Sequence, residues 1–364
     1  MKKISFLAII FALAALSLKL FSSYDDKPLP NWIDPTREVS DNKPPVLYTR
    51  ATLPPDFRIP AEYEPVQAVV IGWMGYYDML TEIAKATTTL ANAKIWSVEG
   101  PYSIPGVSSD LYSQVDCPLD TVWMRDYGPF GLSSLKNEIG IVDTIYRHYS
   151  YRRDDDALPT CLGRQKGVDT FGANLILDGG NFMIDSAGNL FMTKRTYTWN
   201  NNKTKQEVDR ILMENFRIKN IYALDYAGYP NSPADGTGHI DMFAKLLNDF
   251  TVLISIADTE PYKSNALKAI SFFENLTAPD GGNYKIIKVK GWEKSRTWYT
   301  YTNSLIVNNV VLMPSYSGYK ELEDLAINAY KEGIEGVFVK PINSDSSIYS
   351  GGSIHCVTQT IPAI

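Results

Sequence analysis

The feature that most constrains the fold of this chain is a local pattern that recurs about every 60 residues in its second half. In each copy, an apolar strand, a tight polar turn and a second apolar strand precede an amphipathic helix. The turns are predicted at 187–188, 248–249 and 308–309, where Asn, Asp and Gly tolerate the positive φ that short hairpins need. Helical periodicity predicts the helices near 204–216, 261–274 and 320–332.

Two earlier and less regular copies cover roughly 66–110 and 121–170, which brings the expected number of modules to five. Repeats of this size usually close or stack on one another. The pattern therefore predicts an α/β fold in which five ββα-type modules surround a central axis. The alternative is a mixed α/β sheet with coincidental spacing, and three copies in register favour the repeat.

The N-terminus is typical of an export signal, because Lys2 and Lys3 precede an apolar run from Ile4 to Leu18 that is short for a membrane span. We expect a signal peptide over 1–23 and a secreted or periplasmic protein with no membrane span after its removal. The alternative is an uncleaved anchor. A leader rich in Pro, Asp and Lys is expected over 24–59, and one folded domain over 60–364.

Composition excludes some classes of protein. Of 364 residues 45% are hydrophobic, which is ample for a large core, and the net charge of −6 offers no basic surface for nucleic acid. The three cysteines are an odd count for an exported protein, so at least one thiol stays free or pairs between molecules. Cys117 could pair with Cys161, or both could be buried thiols.

Each predicted module carries a polar cluster just before or at its first strand. Equivalent positions in a cyclic array lie at a similar radius, so these clusters are expected to converge near the axis. The clusters are 123–129, 178–181, 238–241, 301–304 and 351–356.

The side chains of these clusters suit a guanidinium substrate. Asp126 and Asp241 could hold both sides of the flat cation in paired hydrogen bonds, and Trp123 could pack against it. The Cys356 thiolate is a good nucleophile for the electron-poor carbon. The His239 imidazole could protonate the leaving ammonia and then activate water.

The spacing of these residues also bears on their roles. His239 and Asp241 are two apart, so on a strand both would face the substrate. His355 and Cys356 are adjacent and would face opposite ways, so His355 is given no catalytic role. The sequence has no Cys-x-x-Cys, no His-Glu-x-x-His and no P-loop, so we expect no metal and no cofactor.

Together these motifs resemble the agmatine deiminase and bacterial peptidylarginine deiminase family. The resemblance is carried by 60–65 with the apolar run to Trp73, and by the clusters 123–129, 238–241 and 351–356, and it covers 60–362 in order. It implies the five-bladed pseudosymmetric α/β propeller of guanidino-modifying enzymes, built of ββαβ modules.

The resemblance also implies a role for each matching residue. Cys356 is the expected nucleophile that forms a covalent amidino-thio intermediate, and His239 is the expected general acid and base. Asp126 and Asp241 are the expected guanidinium clamps, while Asn303 helps to order the site. Trp123 matches the aromatic residue of the pocket wall.

Within the family, the predicted export signal favours an arginine-containing peptide or protein as substrate, converted to peptidyl-citrulline and ammonia. Members of that branch grip a substrate carboxylate with an arginine pair after the Trp-x-x-Asp strand. Here Arg152 is the first candidate and Arg147 the second, although their spacing departs from the family's pattern. The alternative for both is a solvated loop charge.

Three other functions stay open. The first is agmatine deimination to N-carbamoylputrescine, or hydrolysis of another free guanidine. The second is a cysteine protease that uses His239 and Cys356, which leaves Asp126 and Trp123 without a role. The third is a catalytically dead binding protein on the same fold.

Overall fold

The chain forms an α/β fold of mixed sheets in a computed structural model that describes residues 27–46, 53–228 and 237–364. The predicted signal peptide, 1–23, lies outside the described residues. Within the described ranges, no helix has the length and apolar character that crossing a membrane requires.

The strands, numbered in chain order, are β1 Phe57–Arg58, β2 Val66–Gly72, β3 Lys94–Val98, β4 Tyr112–Val115, β5 Phe130–Ser134, β6 Ile139–Ile145, β7 Asp169–Ile176, β8 Met183–Ile184, β9 Asn189–Thr193, β10 Asn220–Leu224, β11 Ala244–Asn248, β12 Thr251–Ile256, β13 Lys285–Lys290, β14 Trp292–Lys294, β15 Thr297–Tyr299, β16 Leu305–Val307, β17 Val310–Ser315, β18 Phe338–Asn343 and β19 Thr358–Pro362. The α-helices are α1 Tyr77–Thr89, α2 Met124–Tyr127, α3 Arg153–Lys166, α4 Arg195–Trp199, α5 Lys205–Phe216, α6 Tyr262–Glu274, α7 Lys320–Gly333 and α8 Asp345–Ile348.

Five of the sheets share one connection pattern. An antiparallel pair of strands is followed by a helix, and the chain then returns as a third strand parallel to the second. The sets are β5-β6-β7, β8-β9-β10, β11-β12-β13, β16-β17-β18 and β19-β2-β3, and β1 and β4 extend the first and last of them. The antiparallel pair and its helix are the ββα unit that the sequence pattern predicts, and the third strand completes the ββαβ module that the family resemblance implies. The arrangement of the sheets as blades around one axis stays a prediction.

The chain ends are joined within one sheet, because β19 pairs antiparallel with β2. Thr358 lies opposite Ile71 in this pairing, almost 290 residues away along the chain. As a result the cluster 351–356, which directly precedes β19, is held in the same module as the first helix.

The predicted hairpins and helices agree closely with the structure. The turn at 308–309 joins β16 and β17, and Asn308 has the expected positive φ of 53°. The turn at 187–188 lies between β8 and β9, and Gly188 has a φ of 89°. Helices α5, α6 and α7 begin within one residue of their predicted starts. These elements formed as expected because turn chemistry and apolar periodicity are local properties.

Two hydrophobic clusters pack beneath the sheets. The larger joins the modules of β2, β12 and β17, and includes Val70, Leu253 and Leu312, all fully buried. The smaller packs around β5 to β9 and α5, with Leu132 and Leu212 at its centre. Apolar residues of the strand-preceding segments, Cys356 among them, belong to the larger cluster.

A disulfide joins Cys117 and Cys161, with an S–S distance of 2.04 Å. It links the segment after β4 to helix α3. Cys356 is a free, buried thiol.

Candidate active site

The five polar clusters touch one another in a closed ring. All five directly precede the first strand of a module: β5, β8, β11, β16 and β19. The linking contacts are Gly180 N to Asp126 Oδ1 at 3.3 Å, His239 Nε2 to Asp178 Oδ2 at 3.1 Å, Asn303 Nδ2 to Asp241 Oδ2 at 2.9 Å, Asn303 Nδ2 to Cys356 Sγ at 3.2 Å, and Arg125 N to the Cys356 carbonyl at 3.1 Å.

The Cys356 thiol is fully buried beside an amide and a carboxylate. Its sulfur lies 3.2 Å from Asn303 Nδ2 and 3.8 Å from Asp241 Oδ2. Asn303 is itself fixed, because its Oδ1 accepts the backbone N–H of Ser353 at 2.9 Å. Burial and the charges of Asp241 and Asp126 raise the pKa of the Cys356 thiol well above its usual value, against the Asn303 hydrogen bond, which lowers it.

His239 lies opposite, between two carboxylates. Its Nε2 donates to Asp178 Oδ2 at 3.1 Å, and its Nδ1 lies 3.5 Å from Asp126 Oδ1. Burial lowers the pKa of His239, but Asp126 and Asp178 together outweigh burial, so the net pKa is raised. The imidazolium form is therefore stabilised, as a general acid requires.

Asp126 and Asp241 each present a carboxylate oxygen without a partner. Asp126 Oδ2 and Asp241 Oδ1 are buried, and neither has a hydrogen-bond partner in the described part of the chain. Burial raises the pKa of Asp126 to about 6, against the attraction of His239, which lowers it. Buried carboxylate oxygens left unpaired are costly unless a cation or a donor joins them.

Gly180 keeps the space between these groups open. A Cβ at this position would lie 2.5 Å from His239 Nδ1, 3.0 Å from Asp126 Oδ1 and 3.1 Å from Asp241 Oδ2. Any side chain here would therefore displace His239, Asp126 or Asp241. Close approach of this kind is the reason for a glycine.

The expected strand at His239 and Asp241 is not formed. Residues Ile240–Met242 form a 3-10 turn, and the strand β11 begins only at Ala244. Asn181 Oδ1 holds the turn by accepting the backbone N–H of Ile240 at 3.2 Å. The two side chains still reach one space, but through a capped turn and not through strand alternation.

His355 has a place in the site that the adjacency argument did not find. It lies in a turn rather than a strand, and its Nδ1 is 2.7 Å from Asp241 Oδ2. Its Nε2 is 2.6 Å from Glu62 Oε2. His355 therefore positions one predicted clamp, and Glu62 in turn is paired with Lys245 and Arg125.

Asp178 is the other side chain whose role the sequence did not reveal, although its cluster was recognised. It is fully buried, orients His239 and pairs with Arg147 Nε at 3.1 Å. The available signal was its position a few residues before β8, as Asp126 lies a few residues before β5. The ligand atoms of Asp126, Asp178 and His239 lie within 4.8 Å of one another, but the Arg147 guanidinium already neutralises part of this group. That this site works without a metal ion remains a prediction.

Trp123 is fully buried at the wall of the site. A Cβ on Gly352 would lie 2.9 Å from its ring and 2.6 Å from Cys356 Sγ, so ring and thiol flank the same glycine. Its Nε1 donates to the carbonyl of Leu29 at 2.9 Å. Trp123 thus connects the site to the N-terminal segment 27–46, called the strap from here on.

The two arginines proposed for a substrate carboxylate have other partners. Arg152 is fully buried and binds the Glu38 carboxylate at 2.7 Å and the carbonyls of Pro30 and Trp32. Arg147 binds Asp178 and stacks over Trp199 at 4.9 Å. In this structure Arg152 anchors the strap and is not a solvated loop charge. A direct substrate contact by either arginine would require these partners to separate.

A buried thiol and a buried imidazole lie beside two carboxylates, each of which leaves one oxygen unpaired in the described part of the chain. This site, on an α/β fold of this topology, is that of the guanidino-group deiminases, which are hydrolases of amidine C–N bonds. The chain belongs to the Porphyromonas-type peptidyl-arginine deiminase family, whose sequence model matches residues 58–362.

Two relatives match this chain over most of its length. A putative agmatine deiminase of Photobacterium profundum is 24% identical over 85% of this chain and 96% of its own length. The agmatine deiminase of Medicago truncatula is 23% identical over 85% of this chain and 97% of its own.

Two solved structures show the same fold. A putative arginine deiminase from Porphyromonas gingivalis superposes with a TM-score of 0.73 at 21% identity, over 84% of this chain and 98% of that one. The agmatine deiminase of Enterococcus faecalis superposes with a TM-score of 0.72 at 21% identity, over 85% of this chain and 96% of that one.

Proposed function

We propose that this protein hydrolyses the guanidino group of a small free guanidine of the agmatine class, releasing ammonia and a ureido product. The proposal is carried by two buried carboxylate oxygens near the Cys356 thiol, Asp126 Oδ2 and Asp241 Oδ1, which have no partner among the residues that the structure describes. A guanidinium is planar and offers N–H donors to both sides, so it would satisfy both oxygens at once.

Binding of the cation would activate the nucleophile. The negative charges of Asp241 and Asp126 contribute to the raised pKa of Cys356, and a guanidinium between them would cancel that effect. The thiol would then lose its proton to solvent, and the thiolate would attack the central carbon of the guanidinium. The Asn303 amide, 3.2 Å from the sulfur, would stabilise the anion.

His239 would carry the protons of the two half-reactions. As the carbon–nitrogen bond breaks, the imidazolium would protonate the leaving nitrogen, which departs as ammonia and leaves an amidino-thio intermediate on Cys356. The neutral imidazole, oriented by Asp178 at 3.1 Å, would next take a proton from water that attacks the same carbon. Collapse would restore the thiol and release the ureido product, N-carbamoylputrescine from agmatine.

The burial of the site favours a small substrate. Cys356, His239 and Asp126 are fully buried, and the strap lies against Trp123 at the pocket wall. A peptide chain would need a wide opening, whereas a free guanidine needs only a narrow one. The full-length likeness to proteins named agmatine deiminase supports this choice.

Deimination of peptidyl-arginine is the second candidate, and the name of the matching family favours it. An exported location also favours it, and we propose export from the predicted signal peptide together with the Cys117–Cys161 disulfide, a bond typical of oxidising compartments. In either case we propose that the five ββαβ sheets surround one axis as propeller blades, since this would bring the five clusters together.

The test is release of ammonia and ureido product from agmatine, free arginine, a peptide that ends in arginine and a peptide with internal arginine. We expect turnover of agmatine and at least tenfold lower kcat/KM for both peptides. Cys356→Ser is the matched inactive control. Turnover of peptides without turnover of agmatine would replace the proposal with the second candidate.

A further inference from the structure

The strap, residues 27–46, crosses the site but lies outside the stretch 58–362 that matches the family. Its anchor is Arg152, whose guanidinium binds both Glu38 carboxylate oxygens, at 2.7 and 3.1 Å. The same guanidinium donates to the carbonyls of Pro30 and Trp32 at 2.9 and 2.8 Å. A fully buried arginine saturated in this way fixes the backbone of residues 30–32.

Residue 31 of the strap touches both walls of the site. On the thiol side, Asn31 N donates to the Ser350 carbonyl at 2.7 Å, immediately before the glycines that lead to Cys356. On the imidazole side, Arg147 Nη2 donates to the Asn31 carbonyl at 3.3 Å, and Arg147 is bound to Asp178, the partner of His239. Asn31 therefore bridges the two halves of the predicted machinery.

The side chain of Asn31 is buried but unused. It is 0% exposed, and neither its Oδ1 nor its Nδ2 has a hydrogen-bond partner in the described ranges of the chain. It faces Gly351, where an added Cβ would lie 3.1 Å from the Asn31 Cβ. Leaving both ends of a buried amide unpaired costs stability, so a ligand group is the expected partner.

We propose that Asn31 is a specificity-determining residue, and that its amide binds the polar end of the substrate chain distant from the guanidino group. This inference rests on the proposed function. In an agmatine-type substrate that end is a primary ammonium, which would donate to Asn31 Oδ1. The strap then completes the pocket by closing it over the bound chain, and it selects against substrates whose chain continues beyond that point.

The test compares two substrates with the same four-carbon chain, agmatine and n-butylguanidine, which lacks the terminal amine. In Asn31→Ala we expect kcat/KM for agmatine to fall about tenfold, mainly through KM, as for loss of one hydrogen bond to a charged group. For n-butylguanidine we expect a change of less than about twofold. Lys43→Ala, an exposed strap position that pairs only weakly with Asp41, is the matched control and should behave as wild type.

An equal loss of kcat/KM for both substrates would mean that Asn31 only holds the strap in place. No loss for either substrate would mean that Asn31 does not contact the substrate. Each of these results overturns the inference. Thermal unfolding of Asn31→Ala, measured alongside, separates misfolding from a binding defect. Titration of agmatine and n-butylguanidine into Cys356→Ser provides a readout independent of turnover, and the same preference should be seen there and be lost in the double variant. If the wild type turns over no guanidine at all, the proposed function fails first, and the inference fails with it.

Discussion

The Cys356 sulfur lies beside Asn303 and Asp241, and each of these side chains is held by a further residue. Asn303 is fixed by the Ser353 backbone, and Asp241 by His355. A small thiol between two fixed side chains is expected to matter more for the chemistry of the site than for the stability of the fold.

We therefore expect Cys356→Ala to abolish turnover of guanidine substrates, with at least a 10⁴-fold loss of kcat. The loss of a small buried thiol should lower the free energy of unfolding by only about 1 kcal/mol. Steady-state ammonia release and denaturant unfolding are the measurements. Residual activity within a hundredfold of wild type would assign the nucleophile to another residue.

The dependence of kcat/KM on pH should be bell-shaped. The pKa of Asp126 is raised to about 6, so at lower pH this carboxyl becomes neutral and cannot hold a cation. The pKa of His239 is raised above its usual value, so the imidazolium, the proposed general acid, loses its proton only as the pH rises through that higher value. We expect kcat/KM to fall below about pH 6 and again on the alkaline side.

The measurement is kcat/KM for agmatine across the range in which the protein stays folded, checked by circular dichroism at each pH. A flat profile down to pH 4.5 would show that Asp126 need not be ionised when substrate binds, and would contradict its role as a clamp.

At the scale of elements, helix α3 holds the segment that carries Trp123 and Asp126. In its first turn, Asp155 accepts the backbone N–H groups of Asp120 and Thr121 at 2.9 and 3.0 Å, and Thr121 Oγ1 lies 2.6 Å from its second oxygen. Burial raises the pKa of Asp155 to about 8. The carboxyl is therefore mostly neutral near pH 7, and asparagine can reproduce its hydrogen bonds.

Asp155→Ala should lower the free energy of unfolding by about 3 kcal/mol, because two buried N–H groups lose their acceptor. Asp155→Asn should stay within about 1 kcal/mol of wild type. Because the folded state holds this proton more tightly than the unfolded state, wild-type stability relative to Asp155→Asn should fall as the pH rises from about 4 to about 8. Denaturant unfolding at several pH values measures this difference, and a rise in relative stability with pH would contradict the assignment.

At the scale of the whole molecule, Glu62 joins distant parts of the chain. Its carboxylate lies 2.5 Å from Lys245 Nζ, 2.6 Å from His355 Nε2 and 3.7 Å from Arg125 Nη2, and it accepts the backbone N–H of Ile306 at 2.8 Å. Burial raises the pKa of Glu62, but its interactions with Lys245, His355 and Arg125 together outweigh burial and leave the pKa well below its usual value. The residues span four of the modules.

Glu62→Ala would leave Lys245 and Arg125 as buried cations without their carboxylate. We expect a loss of about 3 kcal/mol in the free energy of unfolding, measured by chemical denaturation. Glu214→Ala is the matched control, since its ion pair with Arg210 is exposed and should contribute less than about 0.5 kcal/mol. Similar small losses in both variants would show that Glu62 is not a structural hub.

Local sequence patterns were sufficient to predict the hairpin turns, the helices of the later modules and the five polar segments that precede strands. Asn308 and Gly188 show why, because the chemistry that lets each adopt positive φ acts within its own turn. The grouping of Cys356, His239, Asp126 and Asp241 in one site could also be predicted, because they occupy equivalent positions in repeated modules.

The pairing of side chains between modules, in contrast, could be seen only in the folded molecule. It brings Asp178 to His239, His355 to Asp241, Cys117 to Cys161, and Glu38 of the strap to Arg152. Such pairings join residues 44 to 114 positions apart along the chain, and no local pattern encodes which of them meet. For the same reason nothing in the sequence pointed to the Asn31 amide, which is buried without a partner among the described residues because the strap lies across the site.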